Sequence, residues 1–191
     1  MISGGVAASA FAELLLRACD VADVACLLIA APADTPAGSL RRVIDATMPP
    51  LQARNVAVLI EGHASLAKSL GADGVHLADT DLYAEARKIL GPDASIGLAS
   101  LVERHAAMEI AETGADYLLF DIGRAAAVPD VLAWWAEMMT VPLVARGQFT
   151  PADGPGFAAA NIDFLAPDAS LWKSADPIAD LAALAKAIRA R

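Results

Sequence analysis

Residues 58–90 read VLIEGHASLAKSLGADGVHLADTDLYAEARKIL. Val58–Ile60 closes an apolar run that starts at Val56 and is too short for a helix. The segment His63–Leu70 then spaces Leu66, Ala67 and Leu70 as one face of a helix does. Gly71 accepts the left-handed conformation that ends a helix. Gly74–Leu77 is a second short apolar run, and Leu82–Leu90 a second helical segment. Two strand–helix units in succession imply a right-handed crossover and parallel pairing. Strands that are apolar throughout, without alternation, are those covered on both faces of a parallel sheet.

The pattern extends in both directions. Strand-like runs are expected at Val24–Ile29, Val56–Ile60, Gly74–Leu77, Ser95–Leu98, Tyr117–Phe120, Pro142–Ala145 and Asp163–Leu165. Helical segments fall at Phe11–Ala18, Ser39–Arg54, His63–Leu70, Leu82–Leu90, Val102–Thr113, Val131–Met139, Pro151–Ala160 and Asp176–Ala190. Asp176 and Pro177 have the types favoured at an N-cap and a first helical position. One phrase recurs as Val21-Ala22-Asp23-Val24, Gly71-Ala72-Asp73-Gly74, Gly114-Ala115-Asp116-Tyr117 and Asn161-Ile162-Asp163-Phe164, at intervals of 43 to 50 residues. Each copy ends a helix and opens a strand, where its Asp can take backbone donors. A phrase repeated at alternate strands favours a barrel, in which alternate strands play equivalent roles.

The expected fold class is therefore α/β, a TIM-type (β/α)8 barrel formed by residues 1–191 as one domain. Only seven strands are clear. Either Ile2–Ala7 supplies a weak first strand, or that strand is missing and the seam is open. An open seam exposes strand edges that a homodimer would cover.

Composition narrows the function classes. The net charge of −9 repels polyanions, so nucleic acid is not an expected partner. The hydrophobic fraction is 57%, yet no run approaches the ~18 apolar residues that a membrane span needs. No membrane partner is expected. Cys19 and Cys26 have neither disulfide-framework nor zinc-site spacing, which fits reduced cysteines in a cytoplasmic protein. No G-x-S-x-G, P-loop or dinucleotide fingerprint is present.

The stretch quoted above resembles the central signature of thiamine phosphate synthase, also called thiamine-phosphate pyrophosphorylase, whose fold the thiazole tautomerases share. The similarity continues through Ile96-Gly97, Gly114-Ala115-Asp116-Tyr117 and Pro142-Leu143-Val144-Ala145, and covers most of the chain from about residue 13. It implies a transferase of thiamine biosynthesis, coupling hydroxymethylpyrimidine diphosphate with thiazole phosphate and releasing pyrophosphate. It also implies Mg2+ as cofactor and small phosphorylated molecules as partners.

Carried over by position, the resemblance implies metal ligands at Asp81, which matches, and at Glu61, where the family has Asn-Asp and this chain has Glu61-Gly62. His76 matches the strand's histidine and, with Ser100, is the candidate catalytic residue that the resemblance implies. A family serine falls on Ala99, beside Ser100. Gly147-Gln148 stands where the family has a Gly-Gly pair. Arg124 and Arg146 are the only cations at the presumed strand ends. With Gly147 and Gln148 they form the candidate phosphate-binding set, although pairing with Asp121 or Asp168 competes for them. Other positions depart from the pattern. Leu28–Pro32 replaces a Gln-x-Arg-Glu-Lys stretch. Asp121–Ala127 replaces a Thr-rich, Lys-containing loop. Asp168 lies where a phosphate is expected.

The sequence thus reads as a family member whose catalytic motifs are largely degenerate, a pseudoenzyme in the limit. The alternative is a non-catalytic protein on the same scaffold that binds a small anionic ligand or another subunit. Beside each functional reading stands a plain one. His76 can be a neutral, hydrogen-bonded strand residue, His63 a helix cap, and Asp79 or Asp81 the cap of the following helix.

Overall fold

The computed structural model describes residues 8–30, 37–125 and 127–189. They divide into two compact units, Met1–His76 with Glu85–Ser95, and Leu77–Ala84 with Ile96–Arg191.

The first unit contains α1 (Ala8–Val21), β1 (Cys26–Ile29), α2 (Ala37–Gln52), β2 (Ala57–Glu61), α3 (Ala64–Leu70), most of β3 (Gly74–Leu77) and most of α4 (Tyr83–Leu90). β1 and β2 pair in parallel from Cys26↔Ala57 to Ile29↔Ile60, and β2 and β3 from Leu59↔Gly74 to Glu61↔His76. Ile44, Val58, Ile60, Ala67 and Val75 are wholly buried. Strands buried on both faces are why the sequence shows continuous apolar runs here.

The second unit carries a 3-10 turn (Thr80–Leu82), most of β4 (Ser95–Ser100), α5 (Arg104–Ala111), β5 (Tyr117–Gly123), α6 (Asp130–Met138), β6 (Leu143–Gly147), α7 (Gly154–Ala159), β7 (Phe164–Pro167), a 3-10 turn (Leu171–Lys173) and α8 (Pro177–Arg189). β4–β5, β5–β6 and β6–β7 all pair in parallel. Trp135 is fully buried edge-to-face on Phe120 at 5.7 Å, and its indole N–H donates to the Val141 carbonyl at 2.8 Å. Its neighbour Trp134 is half-buried, with the Arg104 guanidinium 4.9 Å from its ring centre. The Asp176 carboxylate accepts the Ala179 N–H at 3.0 Å, capping α8 ahead of Pro177.

The repeated Asp phrase builds the same device in both units. Gly71 (φ +73°), Gly114 (φ +92°) and Asn161 (φ +53°) are left-handed at the helix ends. The Asp73 carboxylate then accepts the Val58 N–H at 2.7 Å, Asp116 that of Ile96 at 2.7 Å, and Asp163 that of Leu143 at 2.9 Å. In two copies the bond is returned: the Asp73 and Asp116 N–H groups donate to Val58 and Ile96 carbonyls, each at 2.9 Å.

All seven expected strands form, and β4, β5 and β6 run two or three residues further than expected, into the site segments. α1 is longer than expected at both ends. The helix expected over Pro151–Ala160 begins only at Gly154. Thr150 and Asp153 hold the intervening turn: the Thr150 N–H and hydroxyl donate to the Asp153 carboxylate at 2.7 and 2.8 Å. The segments Ile2–Ala7 and Ala31-Pro32 lie outside the described residues. Among the described residues no helix is long and apolar enough to cross a membrane.

Candidate active site at the strand ends

In the first unit the exits of β2 and β3 bring Glu61 level with His76. Residues in register on neighbouring strands present their side chains to the same face, so the two share one side of the sheet. His76 is only 1% exposed, and its carbonyl accepts the Gly62 N–H at 2.9 Å. Glu61 is half-buried. His63 holds the N-cap position of α3, but its side chain makes no capping hydrogen bond. The capping expected of it is therefore not made.

In the second unit Asp79 is the capping residue of its pair: its carboxylate accepts the Asp81 N–H at 2.9 Å. That leaves the Asp81 side chain exposed and not needed for the turn. Ser100 ends β4, and its hydroxyl donates to the Leu101 carbonyl at 3.1 Å.

The ends of β5, β6 and β7 carry a polar cluster. Asp121 and Arg146 are in register, and the guanidinium donates twice to one Asp121 oxygen, from Nε at 3.1 Å and from Nη2 at 2.8 Å. The other Asp121 oxygen accepts the Gly123 N–H at 3.1 Å. Beyond Asp121 the register shifts, and Gly123 takes a left-handed φ of +55°. This bulge turns the Gly123 carbonyl to accept the Gln148 N–H at 2.8 Å. A side chain at Gly147 would lie 2.3 Å from that carbonyl, so only glycine fits there.

Asp168, directly after β7, donates its N–H to the Gly147 carbonyl at 2.9 Å. Its carboxylate accepts the Ser170 N–H at 2.8 Å, the Ser170 hydroxyl, and a hydrogen bond from the Gln148 side chain. Burial pushes the Asp168 carboxyl up, but the Ser170 and Gln148 donors, with Arg146 behind them, outweigh it and hold it below its ordinary value. Asp153 is also lowered, first by the Thr150 N–H and hydroxyl and then by Arg124. Arg124 itself is exposed.

The structure thus joins Arg146, Gly147 and Gln148 in one network and sets Arg124 near Asp153. Its cationic groups are opposed by Asp121, Asp153 and Asp168. Sequence reasoning named Asp121 and Asp168 as competitors for the arginines and missed Asp153. The T-P-A-D string at 150–153 carried the signal, since Thr followed three residues later by an acid is a capping-box pattern.

No three His, Cys, Asp or Glu side chains converge among the described residues to hold a metal ion. Mg2+ takes six oxygens in near-octahedral geometry. The cysteines are equally unsuited to metal or nucleophilic work. Burial of its thiol, with Asp73 adding, pushes Cys26 up to about 12, and burial also raises Cys19.

Residues 3–167 match the family model described as thiamine monophosphate synthase. The chain belongs to this family. Among its relatives, the thiamine-phosphate synthase of Rhodospirillum centenum is 37% identical over 94% of this chain and 91% of its own length. That of Erythrobacter litoralis is 38% identical over 74% of this chain and 73% of its own. Thiamine phosphate pyrophosphorylase from Pyrococcus furiosus superposes on 93% of this chain and 88% of its own, with a TM-score of 0.77 at 18% identity. A 3-hexulose-6-phosphate synthase from Salmonella typhimurium gives 0.71 at 17% identity, over 97% and 95% of the two chains. These likenesses show the TIM-type fold expected from the sequence. For a thiamine monophosphate synthase family member, the strand ends described above are where the fold's active sites lie.

Proposed function

We propose that the chain is a thiamine-biosynthetic family member that binds a single small anion at the ends of β5–β7 and has little or no coupling activity. One observation carries this reading. The Arg146 guanidinium is already held by Asp121 through two hydrogen bonds. An incoming phosphate must displace a carboxylate to reach it, and then meets Asp168, which is held ionised. Charge-assisted pairs are among the stronger hydrogen bonds, so the exchange gains little. A diphosphate carries more charge and is disfavoured more. The free cysteines suit a cytoplasmic setting.

A second reading is favoured by the extent of the match to the Rhodospirillum centenum protein. On it the chain is a working synthase, with Glu61 and Asp81 sharing Mg2+ with the substrate phosphates, and His76 and Ser100 near the reacting groups.

A steady-state assay with hydroxymethylpyrimidine diphosphate, thiazole phosphate and magnesium separates the two, with Asp81→Ala as control. The expected result is no turnover above that control. Calorimetry with pyrophosphate and with thiazole phosphate is expected to give Kd values near ~1 mM, tightening roughly tenfold in Asp121→Asn, which frees Arg146. Turnover at about 1 per second or faster that vanishes in Asp81→Ala overturns the first reading. Failure of both anions to bind either variant removes its binding half.

A further inference from the structure

Three donors and a cation converge on one carboxylate at the ends of β6 and β7. The Asp168 side chain accepts the Ser170 N–H at 2.8 Å, the Ser170 hydroxyl, and a hydrogen bond from the Gln148 side chain. The positive charge of Arg146 adds to them. A backbone N–H, a hydroxyl, a side-chain amide and a guanidinium together are the parts of a receptor for a small oxyanion. The loops after the last two strands of a TIM-type barrel are also where this fold frequently holds a phosphate.

The fold does not require a carboxylate here. At the strand entrances Asp73, Asp116 and Asp163 take the N–H groups of Val58, Ile96 and Leu143, all buried residues. Ser170 and Gln148 are exposed, so water can satisfy their donors. The loop after β7 is held by its backbone. The Asp168 N–H donates to the Gly147 carbonyl at 2.9 Å, the Asp168 carbonyl accepts the Leu171 N–H at 3.2 Å, and the Ser170 carbonyl accepts the Lys173 N–H at 3.0 Å. The Gly123 carbonyl fixes Gln148 in the same way at 2.8 Å. None of these bonds uses the Asp168 carboxylate, so the donors keep their places without it.

We infer that Asp168 is an internal stand-in for an anionic ligand: its carboxylate fills the donor set at the ends of β6 and β7, and the chain closes its own anion site. The ligand it replaces is a small tetrahedral oxyanion, inorganic phosphate or a phosphate monoester. A carboxylate tethered beside its donors competes at a high effective concentration, which a dilute free anion does not match. The inference rests on the anion-binding reading given above. It adds that the donors for a phosphate are present and occupied, and that Asp168 excludes the ligand by occupancy beyond the repulsion of its charge.

Calorimetric titration of inorganic phosphate into the wild-type chain, Asp168→Ala and Asp168→Asn separates occupancy from repulsion. Alanine removes both the charge and the occupant. Asparagine removes the charge but leaves an oxygen on the Ser170 donors. Phosphate is expected to bind Asp168→Ala about thirtyfold more tightly than wild type, and about fivefold more tightly than Asp168→Asn. Equal affinities in the two variants, or no gain in Asp168→Ala, overturn the inference. A second measurement needs no variant at position 168. Added phosphate is expected to leave the Ser170 backbone amide resonance of the wild-type chain in place, because Asp168 already holds that N–H; its movement overturns the inference. Tightening in Asp168→Ala with no binding by Asp121→Asn removes the Arg146 reading and keeps this one. Tightening in Asp121→Asn with none in Asp168→Ala does the opposite.

Discussion

The two ends of the strands differ in kind. At their entrances Asp73, Asp116 and Asp163 repeat one device, a carboxylate on a backbone N–H of the strand before. At their exits no two positions are alike: Glu61 beside His76, an exposed Asp81, Ser100 on its neighbour's carbonyl, Arg146 held by Asp121, Asp168 gripped by Ser170. The entrances hold groups whose only task is to satisfy the backbone, and one solution serves each time. The exits are where this fold places chemistry, and there each side chain makes a different contact.

The largest effect expected is at an entrance. A Cβ on Gly74 would sit 1.8 Å from the Ser95 carbonyl oxygen. Because backbone must move, Gly74→Ala is expected to cost about 3 kcal/mol or more, read as a fall in the denaturation midpoint. A cost below ~1 kcal/mol would show that the entrances tolerate change as freely as the exits.

Next comes the repeated device itself. Asp116→Ala leaves the Ile96 N–H without its acceptor, and an unsatisfied buried donor costs about 1–3 kcal/mol. Arg146→Ala, removing a partly exposed ion pair, is expected to change stability by ~1 kcal/mol or less. Equal losses in urea titrations of the two variants would erase the contrast between the ends.

The smallest effect is a pH dependence. Asp168 and Asp153 are depressed in the folded protein. Each therefore adds stability that is present above the unfolded carboxylate value of ~3.9 and is lost as pH falls through the folded value. Melting temperatures recorded from pH 6 downward should fall in that acid range. Asp168→Asn should flatten part of the fall, and an unchanged acid limb in that variant would show that the Ser170 grip on Asp168 contributes nothing.

Much of the fold was legible in the sequence because strand entrances obey local rules. A left-handed Gly or Asn, then an Asp, then an apolar run is a short-range pattern, and Gly71, Gly114 and Asn161 all adopt the conformation it requires. The cap by Asp176 and Pro177 was legible for the same reason. The delayed start of α7 was not, because the Thr150–Asp153 turn competes with helix over three residues that all tolerate helix.

The site was legible as a set of candidates and not as an arrangement. Sequence alone determined that Arg146 has carboxylates to choose between, and the resemblance located the strand ends that hold them. Only the tertiary structure decided that Asp121, in register with Arg146 on the neighbouring strand, takes the guanidinium, and that Asp168 turns instead to Ser170 and Gln148. Backbone conformation follows from residues a few positions apart. Pairing between charges follows from strand register and from the bulge at Gly123, which bring together groups 25 residues apart in the chain.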